Sequence, residues 1–126
     1  MPNAVSLAAN GYEVSEIGER PWGRWTVLDA GEGYCIKKIE VLPGHRLSLQ
    51  YHLHRLEEWS VIAGTGRVFV GADWRSIAPG AHVQVPRMVH HRLENDGTEL
   101  LVILELQRGT ICDESDIVRL EDDYAR

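Results

Sequence analysis

The sequence predicts one all-β domain, folded as a sandwich or a barrel. Short segments with strand-like alternation recur every eight to twelve residues, at 25–28, 34–41, 47–53, 59–62, 66–70, 74–77, 82–85, 91–94 and 100–107. Turn-forming residues separate them at 29–31, 43–44, 71–73, 79–80 and 95–97. The chain of 126 residues is 44% hydrophobic and 25% charged, which is enough for a core of its own. Regularly spaced strands of this kind are typical of sandwiches and barrels.

The two ends of the chain depart from this strand pattern. Residues 1–19 are small, polar and acidic without sustained periodicity, so we interpret them as an N-terminal extension of a single domain over residues 20–126. The only predicted helix is short and lies near the C-terminus. It would begin at a cap residue, Asp113 or Ser115, and run through residues 116–119.

Charge and cysteine usage disfavour several classes of function. The net charge of −6 and the pI near 5.4 argue against a nucleic-acid or anionic-membrane surface, although a small anionic ligand fits if the few basic side chains converge. No stretch approaches about 18 apolar residues and no secretory leader is recognisable, so we expect a soluble, cytoplasmic protein. Cys35 and Cys112 have no metal-type spacing and are expected to be reduced thiols.

The most informative stretch runs over residues 44–64. Gln50, His52 and His54 stand at alternate positions of a predicted strand, so all three side chains share one face, and Glu57 follows shortly after. Histidine is the commonest metal ligand, and a solvent-facing strand would more often carry Lys, Glu, Ser or Thr. Metal binding in a cavity is the leading interpretation. The alternative is a half-exposed strand that happens to be rich in histidine.

This stretch is the first of two motifs that resemble those of the cupins. The first motif consists of Gly44, Gln50, His52, Glu57 and Gly64, with Gln in place of the usual first His. The second motif consists of Gly80, Pro86, His91 and Asn95. The resemblance implies the cupin double-stranded β-helix, a jelly-roll barrel, here with the short C-terminal helical segment. It also implies a metal site made of Gln50, His52, Glu57 and His91.

A narrower resemblance covers residues 20–126. The stretches R-P-W-G at 20–23, L-S-L-Q-Y-H-L-H-R-L-E-E-W at 47–59, H-R-L-E-N at 91–95 and D-I-V-R-L-E-D-D-Y-A-R at 116–126 are similar to the cupin-type mannose-6-phosphate isomerases. These form the isomerase half of the bifunctional mannose-6-phosphate isomerase/mannose-1-phosphate guanylyltransferases. The resemblance implies an enzyme that interconverts mannose 6-phosphate and fructose 6-phosphate, or a related sugar phosphate, with one divalent metal ion per chain. The mixed donors suit zinc best, with manganese, cobalt, nickel or iron able to compete.

This activity needs an acid/base group and a phosphate site. His54, expected on the same face as the predicted ligands, is the first candidate for proton transfer. Lys38, expected to alternate inward on the preceding strand, is the second candidate base or a phosphate contact. Arginine favours bidentate phosphate contact, so Arg46 and Arg126 are predicted to bind the substrate and Arg119 to act in the catalytic site.

The chain departs from the family pattern at four positions. The family usually has His at Glu58, Gly at Met88, Pro at His90 and Gly at Ala125. Strand alternation predicts that Glu58 and His90 point away from the barrel interior, so neither change should remove a metal ligand. Met88 stands where glycine normally permits a turn that other residues resist.

Two rival functions and one assembly state complete the sequence-based expectations. A non-catalytic sugar-binding or regulatory cupin would keep the barrel and the metal without turnover. A metal-dependent cupin oxygenase is the other rival, and the glutamine ligand argues against it. The expected partner is a small sugar phosphate, with no nucleic acid and no membrane. We also expect a homodimer, with its contact near the N-terminal extension or the outward face of the strand that carries Glu58.

Overall fold

The computed structural model describes residues 12–112 and 114–124 and confirms the all-β prediction. The strands in these residues are β1 (Ile17–Arg20), β2 (Gly23–Gly31), β3 (Tyr34–Val41), β4 (Leu49–His52), β5 (Arg55–Ala63), β6 (Gly66–Val70), β7 (Asp73–Ile77), β8 (His82–Val85), β9 (His91–Glu94), β10 (Leu101–Gly109) and β11 (Ile117–Glu121). Nine of them fall on the predicted segments, and β1 and β11 are additional.

Two antiparallel sheets form the barrel. One has six strands in the order β1-β2-β3-β10-β5-β8, and the other has five in the order β11-β4-β9-β6-β7. Sequence neighbours are often separated in the sheets, as β4 and β5 are, which is the jelly-roll arrangement expected from the cupin motifs. Strand β1 lies at the edge of the larger sheet, so part of the predicted N-terminal extension belongs to that sheet.

The inner face of the larger sheet changes from apolar to polar along its strands. Inward side chains at one end are aliphatic, with Val41, Leu101, Ile103 and Val61 all buried. Further along the same three strands, the buried inward positions are polar or charged and comprise Lys37 on β3, Glu105 and Gln107 on β10, and Arg55 and Glu57 on β5. Because buried polar groups are costly unless they are paired, this end of the barrel is where a functional site is expected.

The predicted C-terminal helix is wrong. A single 3₁₀ turn covers Glu114–Asp116, and the following residues form β11, which pairs antiparallel with β4. Two β-branched residues, Ile117 and Val118, favour a strand where the edge of β4 offers free backbone hydrogen bonds. The cap residue Asp113 lies outside the described residues.

The carboxylate of Asp116 has a partner far away in the sequence. It accepts hydrogen bonds from the backbone N–H groups of Leu53 and His54, at 3.2 and 2.9 Å, instead of capping a helix. The backbone after β4 is therefore tied to the C-terminal segment.

Two of the four departures from the family pattern, Glu58 and His90, lie where alternation predicted, and Ala125 lies outside the described residues. Glu57 is buried while Glu58 is exposed and pairs with Arg108, and His91 is buried while His90 is exposed and stacks on Tyr51. Met88 has a φ of 67°, so the left-handed backbone expected of a glycine position is present with a methionine in it. Its side chain is 64% exposed.

Across the described parts of the chain, we find no helix with the length and hydrophobicity that a membrane crossing requires.

Candidate functional site

Three buried side chains converge between the two sheets. His52 ends β4 and His91 begins β9 in the smaller sheet, whereas Glu57 lies on β5 in the larger one. One ligand atom from each of the three lies within 4.8 Å of the others, and all three residues are about 2% exposed. The sheets are therefore joined at this end by a polar cluster with the composition of a metal site.

Backbone carbonyl groups fix the orientation of both histidines. Nδ1 of His52 lies 3.2 Å from the carbonyl oxygen of Asp116, and Nδ1 of His91 lies 3.1 Å from that of Val89. A carbonyl oxygen only accepts, so each Nδ1 carries the proton and donates it. Nε2 of each ring points toward Glu57, and in the neutral form of the ring it presents a lone pair there.

The cluster has the electronic requirements of a cation site. Nε2 of His52 lies 3.0 Å from Oε2 of Glu57 without making a hydrogen bond, and Nε2 of His91 lies 4.0 Å from Oε1. Lone pairs that face one another across a buried space are satisfied when a positive ion lies between them. Burial lowers the pKa of His91 to about 4, so this imidazole is neutral and able to bind metal at neutral pH. The residues present therefore fit a divalent metal ion.

Glu57 is held by its own neighbours on β5. Arg55 donates to Oε2 from Nε at 3.0 Å, and Trp59 donates to Oε1 from its indole nitrogen at 3.0 Å. Burial alone would raise the pKa of the Glu57 carboxyl, but the attraction to His52 and Arg55 outweighs it, so its pKa lies well below the usual range. The carboxylate is ionised and fixed in orientation, as metal ligation requires.

Gln50, the fourth predicted ligand, lies beside this cluster. It faces His91 directly in the pairing of β4 with β9, and its side chain is buried. Nε2 donates to the hydroxyl oxygen of Ser48 at 2.9 Å. That bond uses the amide nitrogen and leaves Oε1, the atom with metal-binding lone pairs, as the free end of the side chain. Ser48 therefore positions Gln50.

We expect Ser48→Ala to weaken zinc binding about tenfold while leaving the fold intact, because the amide would lose the bond that orients it. Titration of the metal-free protein with zinc against a chromophoric chelator measures the affinity. Ser60→Ala is the matched control, since Ser60 lies on the exposed face of β5 and bonds to His82. Equal zinc affinity in Ser48→Ala and Ser60→Ala would show that Ser48 does not position the ligand.

A cavity opens beside the cluster and is rich in basic groups. It holds about 540 Å³ of space not occupied by atoms, measured out to the solvent at its mouth, and Gln50, Glu57 and His91 are among its lining residues. Five basic side chains also line it: Arg20, Lys37, Arg55, Arg92 and Arg119. Only two carboxyl groups, Glu57 and Glu105, lie among the lining residues. Two of these arginines are ion-paired, Arg55 with Glu57 and Arg92 with Glu121 and Asp123. Basic groups still outnumber carboxyl groups among the lining residues, which favours an anionic ligand.

Two predicted proton-transfer residues lie outside this cavity. The prediction that His54 shares the face of His52 is wrong, because β4 ends at His52 and the chain bends before β5 begins. The His54 ring is half exposed and contacts the carboxylate of Asp116 through Nδ1 at 2.8 Å. The prediction that Lys38 points inward is also wrong by one position: Lys37 is the buried lysine, and Lys38 faces outward beside Glu40.

The predicted arginines divide among three situations. Arg119 lies on β11 opposite Gln50 and lines the cavity mouth. Arg46 is not among the lining residues; it pairs with Asp123 in the C-terminal segment through Nε at 2.7 Å. Arg126 lies outside the described residues. Of the three, only Arg119 is placed where it can meet a ligand in the cavity.

Sequence reasoning missed several residues of the site. Arg55 and Trp59 could have been found by stepping two residues in each direction from Glu57, because strand alternation puts them on the same face. Lys37, Glu105 and Gln107 carry no such signal, since a buried lysine or glutamate cannot be told from an exposed one by sequence spacing alone.

The chain is similar to curated proteins in sequence and to solved structures in fold. The chain is 42% identical over 107 residues to the mannose-1-phosphate guanylyltransferase ManC of Salmonella typhimurium, an alignment that covers 85% of this chain and 22% of ManC. The chain thus spans about a fifth of the length of such curated relatives. Among solved structures, a mutant of Bacillus subtilis oxalate decarboxylase OxdC is 25% identical, with a TM-score of 0.74 over 86% of this chain and 31% of that one.

A second solved structure is also similar to this chain. It comes from Acidithiobacillus ferrooxidans and is assigned only provisionally as a sugar phosphate isomerase. It is 27% identical to this chain, with a TM-score of 0.59 over 71% of this chain and 62% of that one.

These comparisons correct the expected activity. The prediction of an isomerase for mannose 6-phosphate and fructose 6-phosphate is wrong, because curated relatives such as ManC are named as guanylyltransferases, which are nucleotidyltransferases, and not as isomerases. The chain corresponds only to their C-terminal, isomerase-like cupin region. The error has a simple origin: a cupin barrel with metal donors specifies a site and leaves the reaction open.

The family itself is shown. The family model described as mannose-6-phosphate isomerase C-terminal matches residues 9–122, nearly the whole chain. The curated relatives that share this region are enzymes, and the solved structures share the barrel. The chain therefore belongs to the mannose-6-phosphate isomerase C-terminal family of cupin domains.

Proposed function

We propose that this chain is a metal-binding cupin domain that binds a mannose phosphate. By doing so, it supports the transfer of a guanylyl group to mannose 1-phosphate. The metal lies among His52, Glu57, His91 and Gln50, with zinc the best-fitting ion. When bound, it polarises the sugar oxygens that it contacts. The chain's own side chains select the ligand by its charge and hold it in the cavity.

The donor cluster gives the first support. Nε2 of His52 lies 3.0 Å from the carboxylate of Glu57, and Nε2 of His91 lies 4.0 Å from it, so three buried donor groups converge where a cation can bind. The basic lining of the adjacent cavity gives the second support.

The names of the relatives narrow the class of ligand. ManC acts by its name on mannose 1-phosphate, and the Acidithiobacillus protein is provisionally assigned to sugar phosphates. A phosphorylated sugar combines hydroxyl groups that a metal can contact with a phosphoryl group that basic side chains can bind. The cavity offers both kinds of partner within one space.

Calorimetric titration of the zinc-loaded protein with mannose 1-phosphate, mannose 6-phosphate and mannose tests this proposal. We expect at least one mannose phosphate to bind more tightly than mannose, and we expect the binding to weaken sharply in metal-free protein. Absence of heat with both phosphates, confirmed by ligand-observed NMR, would overturn the proposed function. The homodimer and the lack of nucleic-acid or membrane partners stay predictions.

A further inference from the structure

Buried polar atoms without partners are concentrated in the cavity. Among the described residues, five such side-chain atoms occur, and three of them belong to side chains that line it: Nε1 of Trp22, Nε1 of Trp25 and Oε1 of Gln107. A fourth, Nε2 of His52, belongs to the donor cluster described above. Native structures seldom leave such atoms unsatisfied, and a ligand or ion commonly explains those that are. The two indoles and the amide have no metal-binding role that would explain them.

Lys37 adds a cation to the part of the cavity lining that contains Trp22, Trp25 and Gln107, which we call the wall. Its side chain is about 4% exposed, and its Nζ donates to the hydroxyl oxygen of Tyr12 at 2.6 Å. Nζ also lies 4.2 Å from the ring centroids of both Tyr12 and Trp25, in cation–π contact. Aromatic faces and a hydroxyl group stabilise the ammonium without neutralising its charge. The wall is therefore positive.

One carboxyl group lies beside Lys37 in the larger sheet. Glu105 is directly opposite Lys37 in the pairing of β10 with β3.

Lys37 lies two strands away from the metal-binding residue Glu57 in the larger sheet. Lys37 on β3 and Glu57 on β5 are separated by one strand, β10, within the same sheet. Adjacent strands lie about 4.8 Å apart, so the two backbones are roughly 10 Å from each other. Gln107 lies between them, opposite Glu57 in the pairing of β10 with β5. One ligand can therefore contact the metal at one end and this wall at the other.

We infer that Trp22, Trp25, Lys37 and Gln107 form a phosphoryl subsite of the cavity, which we name the tryptophan–lysine subsite. The inference rests on the proposed function and extends it. Indole N–H groups and an ammonium group only donate hydrogen bonds, so their ligand must be an acceptor, and a phosphoryl group carries acceptor oxygens and negative charge. The amide oxygen of Gln107, an acceptor, receives a hydrogen bond from a sugar hydroxyl.

The variant Lys37→Met tests the subsite, because it removes the charge and keeps a long apolar side chain. We expect the zinc-loaded variant to bind mannose 1-phosphate and mannose 6-phosphate about tenfold or more weakly than wild type, with zinc content and mannose binding unchanged. The matched control is Lys38→Met, which alters the outward-facing lysine next in the chain and should bind as wild type. Calorimetric titration and elemental analysis supply the measurements.

A second pair of variants keeps the test decisive if Lys37→Met does not fold. Trp22→Phe removes the indole N–H and retains an aromatic ring. We expect this variant to bind both mannose phosphates several-fold more weakly than wild type. Trp74→Phe, at an indole about 40% exposed outside the cavity, is its control. Wild-type affinity for both phosphates in the folded subsite variants would overturn the subsite alone. Equal losses for mannose and its phosphates would also overturn it. If wild type binds neither phosphate, the proposed function and the subsite fail together.

Discussion

Replacing His91 with alanine is expected to remove nearly all bound zinc. The imidazole is buried, its Nδ1 is tied to the carbonyl of Val89, and its Nε2 faces Glu57 in the donor cluster. Loss of a group that only orients a ligand costs 10- to 100-fold in metal affinity, so loss of the ligand itself should cost at least about 100-fold. Elemental analysis after dialysis against a weak chelator measures the retained metal.

The neighbouring histidine provides the control for this experiment. His90 is exposed and stacks on Tyr51, so His90→Ala changes the same residue type one position away without touching the cluster. Glu57→Ala and Glu58→Ala form a second pair of this kind on β5. Full zinc content in a folded His91→Ala protein would contradict the assignment of the metal site.

Replacing Arg55 with alanine is expected to lower the free energy of unfolding of the metal-free protein by about 3 kcal/mol or more. The guanidinium is about 2% exposed, contacts Glu57 at 2.9 Å and donates to the carbonyl of Cys112 at 3.0 Å. Its removal leaves an ionised carboxylate buried without this counter-charge. Chemical denaturation followed by tryptophan fluorescence measures the change.

An exposed ion pair on the same strands shows what an arginine contributes when water is present. Arg108 on β10 lies 3.5 Å from Glu58, and both side chains are substantially exposed. Arg108→Ala should cost less than about 1 kcal/mol. Similar losses for Arg55→Ala and Arg108→Ala would mean that the buried pair has no special role in stability. Adding Glu57→Gln to Arg55→Ala should recover part of the loss, since no unpaired charge would remain.

Much of the fold follows from local alternation in the sequence. Strands β2 to β10 were predictable because strand-like alternation recurs at regular spacing, with turn residues in five of the eight gaps between them. The C-terminal segment was not, since Asp and Ser before an apolar pair are equally good helix caps and turn residues. Its strand conformation depends on the free edge of β4, which is distant in sequence. Tertiary pairing decides such segments.

The site shows the same division between local and distant information. His52 was predictable from alternation along its strand, whereas Glu57 and His91 were assigned through the resemblance of the two motifs to those of the cupins. His54 was not, since a bend after β4 interrupts the alternation that the prediction extended through it. Lys37 and Lys38 are adjacent and identical in type, so only the packing of Lys37 against Tyr12 and Trp25 decides which one is buried.

The carbonyl of Asp116 couples metal binding at His52 to the pairing of β11 with β4. That carbonyl orients His52, and the strand that follows it, β11, lies at a sheet edge and pairs with β4 alone among the described strands. If β11 separates from β4, His52 loses the hydrogen bond that orients it. Metal binding therefore increases the free energy needed to separate β11 from β4. By linkage the effect is reciprocal. The metal-loaded protein should hold the amide hydrogens of β11 against exchange with solvent longer than the metal-free protein does, although no atom of β11 need contact the ion.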